Sequence, residues 1–234
     1  RRMVTDMKAK KAIKIVLIAL LCILLAALLL VAAMFIRQAF TDGEINDDYT
    51  LVTEDPAYRT PVSAEGAHFI TQEISCGYAV IEMLAAWQGR DITEASLLEQ
   101  NDGAISTAMG TGFQDEMRRQ FPEWSTARHA DLKNTELLKK TYEALAAGMP
   151  VPIEFAALRT TEDKAEWTLH FGLVTGMDFE KDQVVVQNPY GYEEVYSVRD
   201  FLSATRYDSY EDMEFFFRLG FACGMFHKNT VYTI

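Results

Sequence analysis

Residues 15–36, IVLIALLCILLAALLLVAAMFI, form a 22-residue run with no charged side chain and no polar stripe. As a helix the run covers about 33 Å, enough for the hydrocarbon core of a bilayer. A soluble core helix would keep one polar face. Residues 38 to about 66 are polar and interrupted by Pro56 and Pro61, the texture of a linker. Periodic patterning then begins. Gly77–Trp87 sets Val80, Met83 and Leu84 on one side with Ile81 close by, which predicts a helix. GRDITEASLLEQ predicts a turn and a second helix capped by Asp91 or Thr93, and GTGFQDEMRRQF a third that Pro122 closes. Asn134 is expected to cap TELLKKTYEALAAG, with Gly148 ending it.

After Gly148 the pattern turns to strands. PVPIEFAAL (150–158) is apolar, WTLHFGLVTGMDF (167–179) alternates, and QVVVQNPYG (183–191) follows the turn EKD as its hairpin partner. EEVYSV predicts a further short strand, Arg199–Ala204 a short helix, and NTVYTI a closing strand. Helices first and a mostly antiparallel sheet afterwards make the expected fold class α+β.

Charge sharpens the organisation. Residues 1–14 carry six Lys or Arg against Asp6, and setting that excess of five against the chain's −12 leaves −17 on the rest. No basic stripe exists there to replace phosphate counterions, so a nucleic-acid partner is not expected. A cationic flank before the apolar run and an acidic TDGEINDD after it place the N-terminus in the cytoplasm and residues 38–234 outside. The run is longer than the apolar region of a cleaved signal peptide, and VAAMFIRQAF is a poor cleavage site, so an uncleaved single-pass anchor is expected. The expected organisation is a basic segment 1–14, an anchor helix 15–36, a juxtamembrane linker 37–66 and a folded domain 67–234.

Three cysteines do not make a disulfide framework, although Cys76 and Cys223 could pair once. No Cys-x-x-Cys or His-x-x-x-His spacing supports zinc, and no cofactor is expected. Cys76 stands at the first turn of its helix, where free backbone amides and the helix dipole favour a thiolate. His170 lies in the middle of an apolar strand. Asn188 follows at the end of the hairpin partner, from where its amide oxygen could hold an imidazole. Taken singly, each has an ordinary reading as core cysteine, packed histidine or turn residue. Trp167 and His68 could line a cleft or be, respectively, a packed and a surface residue. AMGTGF (108–113) reads as a turn, and EFFFRLGFACGMF as core or one wall of a cleft.

Cys-Gly opening a helix in QEISCGYAVIEMLAAWQGRDITEASL, followed by LHFGLVTGMDFEKDQVVVQNPYG, resembles the papain-like cysteine peptidases of the bacteriocin-leader (double-glycine leader) processing type and their stand-alone relatives, over roughly residues 68–205. The resemblance implies a papain-like fold with Cys76 as nucleophile, His170 as general base and then acid, and Asn188 as its orienter. It also implies an upstream Gln that donates to the oxyanion together with the Cys backbone N–H. Gln72 is the candidate, closer to the cysteine than the family's usual spacing. Members that cut leaders are commonly fused to a transporter, whereas this sequence has one apolar span and no Gly-x-x-x-x-Gly-Lys-Ser/Thr loop. A membrane-tethered peptidase acting on a peptide or protein substrate at the cell surface is the resulting expectation. A catalytically inactive peptide-binding or assembly module, and a cysteine-dependent cell-wall amidase, are the alternatives.

Overall fold

The computed structural model describes residues 2–160 and 164–234. The chain divides into two units, Arg1–Phe40 and Thr41–Ile234. The first is almost wholly helical, part of α1 (Arg2–Ile45). Among the described residues this is the one helix long and apolar enough to cross a membrane, with a mean hydropathy of 3.4 over its most apolar window.

The second unit is an antiparallel sheet with helices on both faces. Its strands are β1 (Val62–Ser63), β2 (Ala127–His129), β3 (Val151–Thr160), β4 (Ala165–Asp178), β5 (Gln183–Asn188), β6 (Tyr192–Tyr196) and β7 (Thr230–Thr233). They run in the order β2-β7-β3-β4-β5-β6, with β1 paired to β4. The helices after α1 are α2 (Thr50–Thr53), α3 (Cys76–Trp87), α4 (Glu94–Gln100), α5 (Gly112–Gln120), α6 (Asn134–Ala146), α7 (Val198–Thr205) and α8 (Phe215–Cys223). The α+β expectation holds, with α6, α7 and α8 interleaved among the strands.

Strand alternation divides the core. Val151, Ile153, Val174, Val184, Val186 and Val231 meet Leu137, Leu138 and Leu145 of α6 and Phe201 and Leu202 of α7 on one face. On the other, Leu173 and Tyr232 meet Val80, Ile81 and Leu84 of α3 and Phe113 and Met117 of α5. Tyr78 to Ile81 and Met83 to Ala85 are all buried, so α3 is enclosed nearly all round rather than along one stripe.

Two sequence expectations change here. The stretch expected as a linker belongs in large part to the packed unit: Val52 and Ala64 sit in the core cluster, and Val62 and Ser63 pair with Met177 and Gly176. So few apolar residues carry no period that a sequence pattern could register. Asn134 is not a helix cap. It is fully buried, its amide donating to Asn46 Oδ1 (3.0 Å) and its Oδ1 accepting from Asn229 (3.1 Å). Asp47 caps α6 instead, accepting from Thr135 N (2.9 Å) and from the Thr135 hydroxyl.

Candidate active site

Cys76 is set by the loop that leads to it. Ser75 is the N-cap of α3, its hydroxyl accepting from Tyr78 N at 3.1 Å. The three amides before Cys76 converge on one buried carboxylate: Glu94 Oε1 accepts from Glu73 N (2.9 Å), and Oε2 from Ile74 N and Ser75 N (both 2.8 Å). Glu94 is in turn held by its own N–H, which donates to Glu82 Oε2 at 2.7 Å. Gly77 lets the segment around Thr107 press onto the first turn, since a Cβ there would stand 2.4 Å from Thr107 Oγ1.

The Cys76 thiol is partly buried, and the backbone amides of Phe171, next to His170 on β4, and of Gly77 are close enough to favour its thiolate. Burial pushes its pKa up, and those amides only partly offset the shift. The helix-terminus argument for a thiolate is therefore outweighed by desolvation, and the resting sulfur is a thiol.

His170 is 3% exposed, paired across the sheet with Phe155. Its ring stacks on Tyr190 (centroids 4.2 Å apart) and meets the edge of Phe155 (5.4 Å). Its Nε2 lies 2.9 Å from Asn188 Oδ1. That oxygen also accepts from Tyr190 N (2.8 Å), while Asn188 Nδ2 donates to Glu194 Oε2 (2.8 Å). With an acceptor opposite it, Nε2 carries the proton in the neutral ring, which leaves Nδ1 as the lone pair. Burial lowers the His170 pKa to about 4 against the pull of the Asn188 bond, so the ring is neutral near pH 7. Gly172 leaves room for this pairing, because a Cβ there would stand 2.8 Å from Phe155 Cε1 and 3.0 Å from Val186 Cγ1.

Cys76 and His170 line one cavity of about 240 Å³, with Ile105, Met109, Leu169 and Phe226 among its apolar walls. The segment 214–226, expected as core or cleft wall, is both: Phe221 is buried, whereas Met225 and Phe226 face this cavity. Arg128 and Glu154 also reach it, and they are joined to Tyr232, whose hydroxyl donates to Glu154 Oε1 at 2.5 Å. Burial pushes the Glu154 carboxyl up, partly offset by Arg128.

The other sequence candidates lie around this centre. Gln72 is tied to the turn after Asn188 by its backbone N–H, which donates to Pro189 O at 2.8 Å. Its Oε1 is buried without a hydrogen-bond partner among the described residues, and Gln72 is not in the lining of the Cys76 cavity. Trp167 lines a second cavity of about 530 Å³ together with Asn188 and Glu194, and packs on the cluster of Ala156, Tyr207 and Phe221. His68 is exposed, and both cavities are lined without it. Glu94 and Glu194 went unnoticed in the sequence, where a glutamate on a helix start or an outer strand gives no signal.

Comparison with curated proteins finds no match. The model of the Peptidase C39-like family does match, over residues 65–215. That span takes in the Glu94-clasped loop, Cys76 at the start of α3 and the hairpin that pairs His170 with Asn188. As the match covers well over half of its residues, the chain belongs to the Peptidase C39-like family.

Proposed function

We propose that this protein is a membrane-anchored cysteine peptidase whose domain works on the extracytoplasmic side, with residues 15–36 as its anchor. The observation that carries the reading is the Nε2 to Oδ1 bond between His170 and Asn188, which leaves Nδ1 unprotonated on a ring that shares a cavity with Cys76. As Sγ attacks the substrate carbonyl, its proton passes to His170 Nδ1. The tetrahedral oxyanion is met by the Cys76 backbone N–H, Gln72 lying outside the lining of this cavity. Collapse breaks the C–N bond, Nδ1–H protonates the leaving amine, and a thioester remains. Water then adds to the thioester, giving a proton to Nδ1, which returns it to sulfur as the carboxylic acid leaves. Because both groups rest neutral, His170 acts as a general base rather than as half of a standing ion pair. The apolar walls of the 240 Å³ cavity suit a bulky apolar side chain next to the scissile bond.

The test is alkylation of Cys76 in the full chain in detergent micelles. Cys22 and Cys223 are both exposed and are replaced by serine to remove background. The expected result is labelling that falls at least tenfold in His170→Ala, with peptide cleavage lost in Cys76→Ser. Equal labelling with and without His170 overturns the proposal. The raised thiol pKa favours a second reading, a peptide-binding module without chemistry. That reading requires Cys76→Ala to retain full biological function.

A further inference from the structure

An asparagine amide can present either end to a histidine, and the choice decides the chemistry of the ring. With Oδ1 toward Nε2, the neutral imidazole is protonated on Nε2 and keeps a lone pair on Nδ1. With Nδ2 toward Nε2, the ring must protonate Nδ1 and has no base left to offer on that side. Two neighbours determine which end of Asn188 faces His170. Tyr190 N is only a donor and takes Oδ1 at 2.8 Å, and Glu194 is an acceptor and takes Nδ2 at 2.8 Å. Both favour the same orientation.

We propose that Glu194 is a positioning residue for the site: by holding the amide of Asn188, it fixes which ring nitrogen of His170 carries the proton. The inference rests on the reading of His170 as the base. Strand register supplies the contact. Asn188 pairs with Tyr192 and Val186 with Glu194, which makes Asn188 and Glu194 diagonal neighbours on one face. The carboxylate is itself restrained, because Tyr196 OH donates to the same Oε2 at 2.8 Å. Turning the amide over would set Oδ1 against the carboxylate and Nδ2 against the Tyr190 N–H, two repulsive contacts at once. Without Glu194, only the Tyr190 amide opposes the turn. Glu194 lies on β6, the outermost strand, and lines the 530 Å³ cavity rather than the one that holds Cys76. Its effect therefore passes entirely through Asn188.

The experiment reads the tautomer directly. The full chain with ¹⁵N-labelled histidine is studied in micelles near pH 7.5, and His170 is picked out from the four histidines by its absence in His170→Gln. The wild type is expected to show Nε2–H. Glu194→Ala is expected to show a mixture with Nδ1–H, and a Cys76 alkylation rate lower by about tenfold, the scale of one hydrogen bond to a charged group. Glu194→Gln keeps an acceptor oxygen for Asn188 and is expected to restore both readouts. An unchanged tautomer in Glu194→Ala overturns the proposal, as does a Glu194→Gln variant as impaired as the alanine. If wild-type Cys76 proves unreactive, the peptidase reading fails, while the tautomer signal still decides the role of Glu194.

Discussion

Acidification should find His170 before it finds most of the fold. The ring is held at a pKa of about 4, whereas in the unfolded chain it returns to its ordinary 6.5. As the pH falls through 6.5 the unfolded chain takes up this proton and the folded chain does not, so folding stability declines, and the loss is complete only below the folded value. At about 1.4 kcal/mol per pH unit the full effect is about 3 kcal/mol, of which about 2.5 kcal/mol develops between pH 7.5 and 4.5. The perturbation is His170→Gln, which removes the titration while the carboxylates common to both chains cancel in the comparison. The assay is urea unfolding of the full chain in detergent, followed by tryptophan fluorescence. Trp87, Trp124 and Trp167 all lie in the unit Thr41–Ile234, so the signal reports that unit. The wild type should lose about 2.5 kcal/mol more than the variant between the two pH values. Curves that stay parallel to within about 0.5 kcal/mol would refute the claim that the ring is buried and neutral.

Two further outcomes follow from the geometry. Glu94→Ala strips three partly buried amides of their acceptor and should lower unfolding stability by about 3 kcal/mol, measured in urea, and slow Cys76 alkylation as the loop before it loosens. Gly172→Ala drives a methyl group against Phe155 and Val186 and should cost about 1–3 kcal/mol in thermal melts, with a parallel fall in Cys76 alkylation.

The legible parts of this molecule are those with a local period or a local cap. Alternation located β4 and β5, and with them the pairing of His170 with Asn188; an apolar period located α3, and Thr93 was rightly among the caps offered for α4. Strand β2 is only three residues long, too short for a period, and it carries Arg128. Helix α8 looked like an undifferentiated aromatic cluster, because Phe215 and Phe216 on its surface are as apolar as the buried Phe221. Glu94 and Glu194 were illegible for a different reason. Their partners are backbone amides and a side chain brought near by tertiary packing and strand register, and no spacing announces such a contact. The ionisation of Cys76 was misread because a helix terminus is visible in sequence and burial is not.

The clasp between the chain before Cys76 and the hairpin has a consequence for the order of folding. Phe69 N–H donates to Gln187, 118 positions away, and Gln72 N–H to Pro189 O. Such contacts close long loops, whose entropy must be spent before the contact rewards it, so they form late. The nascent chain can build α3 and present a cysteine at its tip long before a histidine stands opposite. Any help that His170 gives Cys76 should then appear with the last cooperative step of folding, and a chain halted before that step would carry an exposed, unassisted thiol.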